Sequence, residues 1–193
     1  MRKVVFQMMT TLNGRLDDPD AWVSGVSDDL YREIHRVYDT IDTILVGQRT
    51  YEDMFSYWPG AGAEEGSSEI NKSMAHKMNS YKKIVFSTRS KKKKLMWNNA
   101  EQVLMHNDED ISQFIHDLKA QSGGDILLAG GARLAQSLIR LGLVDEYHFF
   151  IYPRVSAGAT WFDQVKDKPD MDFLSATAYE NGVVGLYYKT PTG

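Results

Sequence analysis

Two adjacent glycines, Gly130 and Gly131, stand between a short apolar run, Asp125 to Ala129, and a segment from Arg133 to Leu141 whose apolar residues have helical spacing. A strand that passes into a helix through two residues without Cβ fits a parallel α/β unit in which the helix packs back on the sheet. The same geometry has a chemical side. The first N–H groups of a helix have no partner within it and carry the positive end of its dipole, and glycine lets an anion approach them closely. Arg133 adds a charged donor fork at that point. A tight strand-to-helix turn explains the glycine pair equally well, so the pair alone leaves both readings open.

The rest of the chain repeats the alternation. Lys3 to Thr11 is apolar and β-branched enough for a strand buried on both faces, and it runs into Asn13-Gly14, a turn signal. Ser27 stands as the N-cap before Asp28 and Asp29, and Leu30, Ile34, Val37, Tyr38 and Ile41 follow on one helical face. Further strands are predicted at Thr43 to Val46, Lys83 to Ser87, Gln102 to Met105 and Glu146 to Tyr152. Further helices are predicted at Arg49 to Phe55, at Ile70 to Asn79, and after Asn107, where Ile111, Phe114, Ile115 and Leu118 form the apolar stripe. Gly60 to Ser68 and the stretch through Gly158 to Phe162 read as loops. Asn181-Gly182 joins Phe173 to Glu180 and Val183 to Lys189 as a hairpin. The expected fold is a single α/β domain over residues 1–193 with three layers, a mostly parallel central sheet and a C-terminal antiparallel hairpin.

Composition narrows the function. A chain of 193 residues buries a core without covalent staples. It has no cysteine, which excludes disulfides and thiolate metal sites, and its five histidines lack ligand-like spacing, so no metal is expected. A net charge of -4 argues against nucleic-acid binding, and the Lys91 to Lys94 run reads as a solvated turn. Gln7, Thr10 and Thr11 interrupt the N-terminal apolar stretch before it becomes a signal peptide, and no run reaches membrane-spanning length. A soluble cytoplasmic protein without a membrane partner is expected.

Ligands of parallel sheets sit beyond the carboxyl ends of the strands. Gln48, Arg49 and Thr50 open one helix there; Ser87, Thr88 and Arg89 follow another strand; Gly130, Gly131 and Arg133 open a third element. Together they describe a dispersed site for a phosphorylated ligand. No nucleophile-elbow or acid-base constellation accompanies it, which suits hydride transfer, a reaction that needs only cofactor and substrate held face to face.

The segments TLNG (residues 11–14), VGQRTYEDM (46–54), FSTR (86–89), LLAGGARL (127–134) and VDEYHFFIYPRV (144–155), in that order, resemble the dihydrofolate reductase superfamily. The resemblance is strongest to its branch related to the reductase domain of bacterial riboflavin biosynthesis. It implies a dihydrofolate-reductase-like fold, a homodimer, NADPH as cofactor and a small heterocyclic substrate such as 5-amino-6-(5-phosphoribosylamino)uracil. It also implies a pyrophosphate site at Gly130, Gly131 and Ala132 beside Gly47 and Thr50, with the adenosine 2'-phosphate near Ser87 to Arg89 and Arg133. Asn13, Gly14, Trp22, Tyr152 and Arg154 are then expected around the substrate. Asp29 is the candidate proton donor, with a helix-capping role as the other reading.

The chain departs from the pattern in three places. Gln48 stands where the family often has arginine, Asn13 replaces an aspartate, and Tyr31 lies at the distance from Gly47 at which dihydrofolate reductases carry a carboxylate. Dihydrofolate reduction and nucleotide binding without turnover are the alternative functions.

Overall fold

The computed structural model describes residues 1–63, 67–88, 93–161 and 170–191. Arg89, Lys91, Lys92 and Phe162, named above, lie outside the described residues. Strand β1 (Val4–Thr11) is followed by α1 (Asp28–Thr40), β2 (Ile41–Gly47), α2 (Gln48–Tyr57), α3 (Glu69–Ser80), β3 (Lys82–Ser87), β4 (Ala100–Leu104), α4 (Asp108–Ala120), β5 (Asp125–Gly130), α5 (Ala132–Arg140), β6 (Glu146–Tyr152), β7 (Asp172–Ala178) and β8 (Val184–Lys189). The predicted elements are all present; β6 agrees at both ends, and the ends that differ do so by a few residues at most, because terminal turns and strand ends carry the weakest periodic signal.

The eight strands form one sheet in the order β4-β3-β2-β5-β1-β6-β8-β7. Pairing is parallel from β4 through to β6. The C-terminal hairpin pairs antiparallel, β8 with β6 and β7 with β8, and Gly182 takes the positive φ its turn requires. This is the expected three-layer arrangement with a mostly parallel sheet and a C-terminal antiparallel hairpin. Alternation along each central strand divides the core in two. Phe6, Leu45, Ile84, Ile126 and Leu128 face α4 and α5, whereas Val5, Ile44, Val46, Val85 and Leu127 face the side of α1, α2 and α3. No helix among the described residues is long and apolar enough to cross a membrane.

Two polar clusters tie the amino ends of the central strands together. Arg2 is buried, donates to Gly124 O and Thr43 Oγ1, and pairs with Asp42. Lys119 pairs with Asp145, whose other carboxylate oxygen accepts from Val4 N. With that edge fixed by hydrogen-bonded ion pairs, the opposite edge, where the strands end, is left for a ligand.

Candidate functional site

Strand β5 lies between β2 and β1, so its carboxyl end meets the end of β2 on one side and the end of β1 on the other. Two helices start at this junction, α2 straight after Gly47 and α5 straight after Gly131. Neither N-cap is closed by a side chain. The caps of α3 and α4, by contrast, are closed by Ser68, which accepts from Asn71 N, and by Asn107, which accepts from Asp110 N. The first N–H groups of α2 and α5 therefore remain available to an outside acceptor, with both dipoles adding to its attraction.

Space is tight at Gly131 and ordinary at Gly47. A methyl group on Gly131 would stand 3.0 Å from Thr50 Oγ1, and one on Gly47 would stand 3.8 Å from Gly131 N. Gly130 adopts φ 102°, its peptide to Gly131 is cis, and a methyl group on it would stand 3.4 Å from the Trp161 ring. Gly47, Thr50, Gly130, Gly131 and Ala132 thus form one concave cradle of backbone with a hydroxyl at its side, of the kind that takes a pyrophosphate. Around it, Arg49, Thr88 and Arg133 are exposed and Ser87 is buried. Gln48 takes part in a different network: Nε2 donates to Glu52 at 2.8 Å and Oε1 accepts from Gln102 at 2.8 Å. It braces the first turn of α2 against β4.

A cleft of about 250 Å³ opens beside the cradle, between the sheet and the helices of the α1 side. Its floor is Gln7 and Met9 of β1, Leu127 and Ala129 of β5 and Phe150 of β6, and its walls are Val26, Tyr31, Ile34, Tyr38, Trp58 and Met74. Ala129 immediately precedes Gly130, so cradle and cleft are continuous along one strand. No carboxylate lines the cleft among the described residues. Burial raises the phenol pKa of both Tyr31 and Tyr38, which keeps them protonated at neutral pH.

None of the five residues expected around the substrate lines the cleft. Asn13 links the two loops at the ends of β1 and β6: Nδ2 donates to Ser156 O, and Oδ1 accepts from Thr11 Oγ1 and Ser156 N. Gly14 supplies a positive φ to the turn after β1, and Arg154 is exposed with its carbonyl accepting from Leu12 N. Trp22 is buried, donates from Nε1 to Asp17 O and meets the Tyr152 ring edge-on at 5.6 Å. Tyr152 in turn donates to Gly25 O at 3.2 Å. These two aromatic residues anchor the loop before α1 and do not line the cleft.

Asp29 also stands outside the cleft. Its Oδ1 accepts from Ser27 Oγ and Leu30 N, and its Oδ2 accepts from Glu180 N at 3.0 Å. These bonds, that from Ser27 foremost, hold its carboxyl below the ordinary aspartate range. The first side chain of α1 that reaches the cleft is Tyr31, two positions later, followed by Ile34 and Tyr38. Sequence reasoning missed Gln7, Met9, Tyr38, Trp58 and Met74. Only Gln7 carried a local signal, as a polar residue between Val5 and Met9 on the inward face of a buried strand.

Comparison with known proteins agrees with this architecture. Residues 2–185 match the RibD C-terminal domain family model. YyaP of Bacillus subtilis (strain 168), itself uncharacterized, is 27% identical over 188 residues, covering 97% of this chain and 94% of YyaP. A candidate riboflavin biosynthesis protein from Shewanella sp. PV-4 has the same fold, with a TM-score of 0.73 and 16% identity over 100% of both chains. Dihydrofolate reductase from Enterococcus faecalis, complexed with NADP(H) and RAB-propyl, gives a TM-score of 0.63 at 13% identity, covering 98% of this chain and 97% of that one.

Proposed function

The chain belongs to the RibD C-terminal domain family, and from that premise we propose that it is an NADPH-dependent reductase of a small heterocyclic substrate, of the kind represented by 5-amino-6-(5-phosphoribosylamino)uracil. The observation that carries this reading is the continuity of cradle and cleft through Ala129, Gly130 and Gly131. The uncapped N-termini of α2 and α5, which would hold an anion, lie at one end of β5, and a ring-sized, mostly apolar space lies directly beside them.

In this reading the N–H groups at Gly131 and Ala132 and the Thr50 hydroxyl hold the pyrophosphate, while Ser87, Thr88 and Arg133 attend the 2'-phosphate. NADPH, when bound, would supply a hydride to an electrophilic carbon of the substrate, such as the sugar carbon bonded to the amino nitrogen of a phosphoribosylamino group. Met9, Ala129, Phe150 and the side chains of α1 keep water from that carbon and enclose the ring. Tyr31, as a neutral phenol, donates a hydrogen bond to the developing charge. Dihydrofolate reduction fits less well, because Tyr31 and not a carboxylate faces the cleft.

A homodimer and a cytoplasmic location complete the proposal. All seven residues of β7 are exposed in the single chain, with Phe173 and Leu174 among them, so the sheet ends in an apolar edge that a second copy can cover. A chain without cysteine suits a reducing compartment. The test of the function is oxidation of NADPH, followed at the nicotinamide absorbance, against a panel of aminopyrimidines, pterins and related lactams. Turnover of one of them supports the proposal. Saturable NADPH binding without turnover over the whole panel would favour a nucleotide-binding protein of the same fold.

A further inference from the structure

Two buried polar atoms among the described residues have no hydrogen-bond partner, Gln7 Nε2 and His148 Nδ1. They are not scattered. Gln7 and His148 are register partners on the adjacent parallel strands β1 and β6, and both point to the α1 side of the sheet, Gln7 between Val5 and Met9 and His148 against the Tyr187 ring. Gln7 lines the cleft; His148 stands behind it, only 9% exposed. Unpaired polar groups in a buried place are costly, and two of them side by side call for an explanation beyond packing.

The two atoms are chemically complementary. His148 Nε2 lies 3.7 Å from Glu146 Oε2, which favours the tautomer with its proton on Nε2 and leaves Nδ1 as an acceptor. Burial lowers the imidazole pKa, which keeps the ring neutral at pH 7. The NH2 end of the Gln7 amide is the buried end, beside that acceptor at the register-paired position but not hydrogen-bonded to it, and the carbonyl end is the one turned to the cleft.

We propose that Gln7 is the specificity-determining residue of this cleft, oriented from behind by His148 as a positioning residue, and that it selects an uncharged planar ring bearing an N–H donor, as in a cyclic amide. The charge follows from the lining, which contains no ionised side chain among the described residues. The donor follows from the Gln7 Oε1 acceptor in an otherwise apolar floor: a ring that lacks the N–H leaves that oxygen desolvated and unpaired. The inference rests on the reading of the cleft as the substrate site.

Its test is a binding measurement that needs no turnover. Quinazolin-4(3H)-one and its 3-methyl derivative differ in the single N–H, and each is titrated calorimetrically into the protein with and without NADPH. The expected result is that wild type binds the N–H compound about tenfold or more tightly than the methylated one. In Gln7→Met, which keeps length and apolar volume, the preference should disappear while the melting midpoint and NADPH affinity hold. In His148→Phe the preference should shrink with Gln7 still present, a change that a merely structural role does not produce. If His148→Phe fails to fold, Gln7→Met decides alone. Equal binding of the two compounds by wild type, no binding of either, or a preference that survives Gln7→Met would each overturn the proposal. Loss of the reductase reading looks different: NADPH then fails to bind, and the lactam preference is still measured in the protein alone.

Discussion

Alanine at position 131 puts the cradle to the test with one methyl group. The backbone of Gly131 has φ -74° and ψ -179°, a conformation open to any L-residue, so the substitution strains nothing locally. The new Cβ would stand 3.0 Å from Thr50 Oγ1, a contact that a small rotation of the threonine relieves. Replacing glycine by alanine at an uncapped N-cap costs about 1 kcal/mol of stability, or roughly 2–4 °C in a domain of this size. The effect on the ligand is larger. The methyl group occupies the space in which a pyrophosphate oxygen reaches the N–H groups of α5, and each charge-assisted bond lost is worth about 1.5–3 kcal/mol, roughly ten- to hundredfold in affinity. Titration of NADPH by its nicotinamide fluorescence measures this directly. Comparison with Thr50→Ala separates the two contacts of the methyl group: if it acts only by displacing the Thr50 hydroxyl, the double variant binds as Thr50→Ala alone does, whereas exclusion of the phosphate leaves it at least about tenfold weaker than that single variant. NADPH binding by Gly131→Ala within about twofold of wild type would refute the placement of the pyrophosphate.

Arg133→Ala, which removes an exposed guanidinium from the first turn of α5, should weaken NADPH about ten- to hundredfold and NADH little; equal losses for the two would remove the 2'-phosphate from this residue. Asp29→Asn should lower the melting midpoint at neutral pH, because the carboxylate that accepts from Ser27, Leu30 and Glu180 is lost, and leave turnover intact. A fall in turnover of about tenfold or more would make Asp29 the proton donor after all. Lys83 is fully buried, donates to Asn79 O and Asn98 O, and lies 4.1 Å from the Trp97 ring centre; burial pushes its pKa down to about 8. Between that value and its ordinary 10.5 the unfolded chain holds a proton that the native state has released, so stability should rise with pH across this window. Melting curves on either side of it should show the rise in wild type and not in Lys83→Met. Sedimentation at micromolar concentration should give about twice the 21.9 kDa chain mass for wild type and a single chain for Leu174→Lys on the exposed β7 edge; a wild-type monomer would reject the dimer.

The sheet was legible because its signals are local. β-branched runs, the Asn107 cap and the Asn181-Gly182 turn each depend on a few neighbouring residues, and each stands where the pattern puts it. The cradle was legible for the same reason, since a glycine pair between a strand and a helix has few uses. The cleft was not. Tyr38, Trp58 and Met74 have the spacing of core residues, and nothing in sequence distinguishes an apolar side chain that faces a neighbour from one that faces an open space three elements away. Trp22 and Tyr152 illustrate the reverse: both stand near strand ends, where ligands bind, yet they bury against each other because a loop over an α/β sheet needs its own anchor.

The position of β5 also governs the order in which this molecule can be made. β2, β3 and β4 pair with their sequence neighbours, but β1 pairs only with β5 and β6, both of which come after residue 124. A chain growing from its N-terminus therefore carries an apolar strand with both edges open for most of its synthesis, the kind of segment that associates with other chains. Closure waits for β5 to enter between β1 and β2, a step of high contact order that brings Val4 to Ile126 and Leu45 to Leu128 together. Since β5 ends in Ala129 and Gly130 and leads straight into Gly131, the proposed ligand site comes into being only with that insertion, and a dinucleotide bound there would act on nascent chains as a clamp on β5.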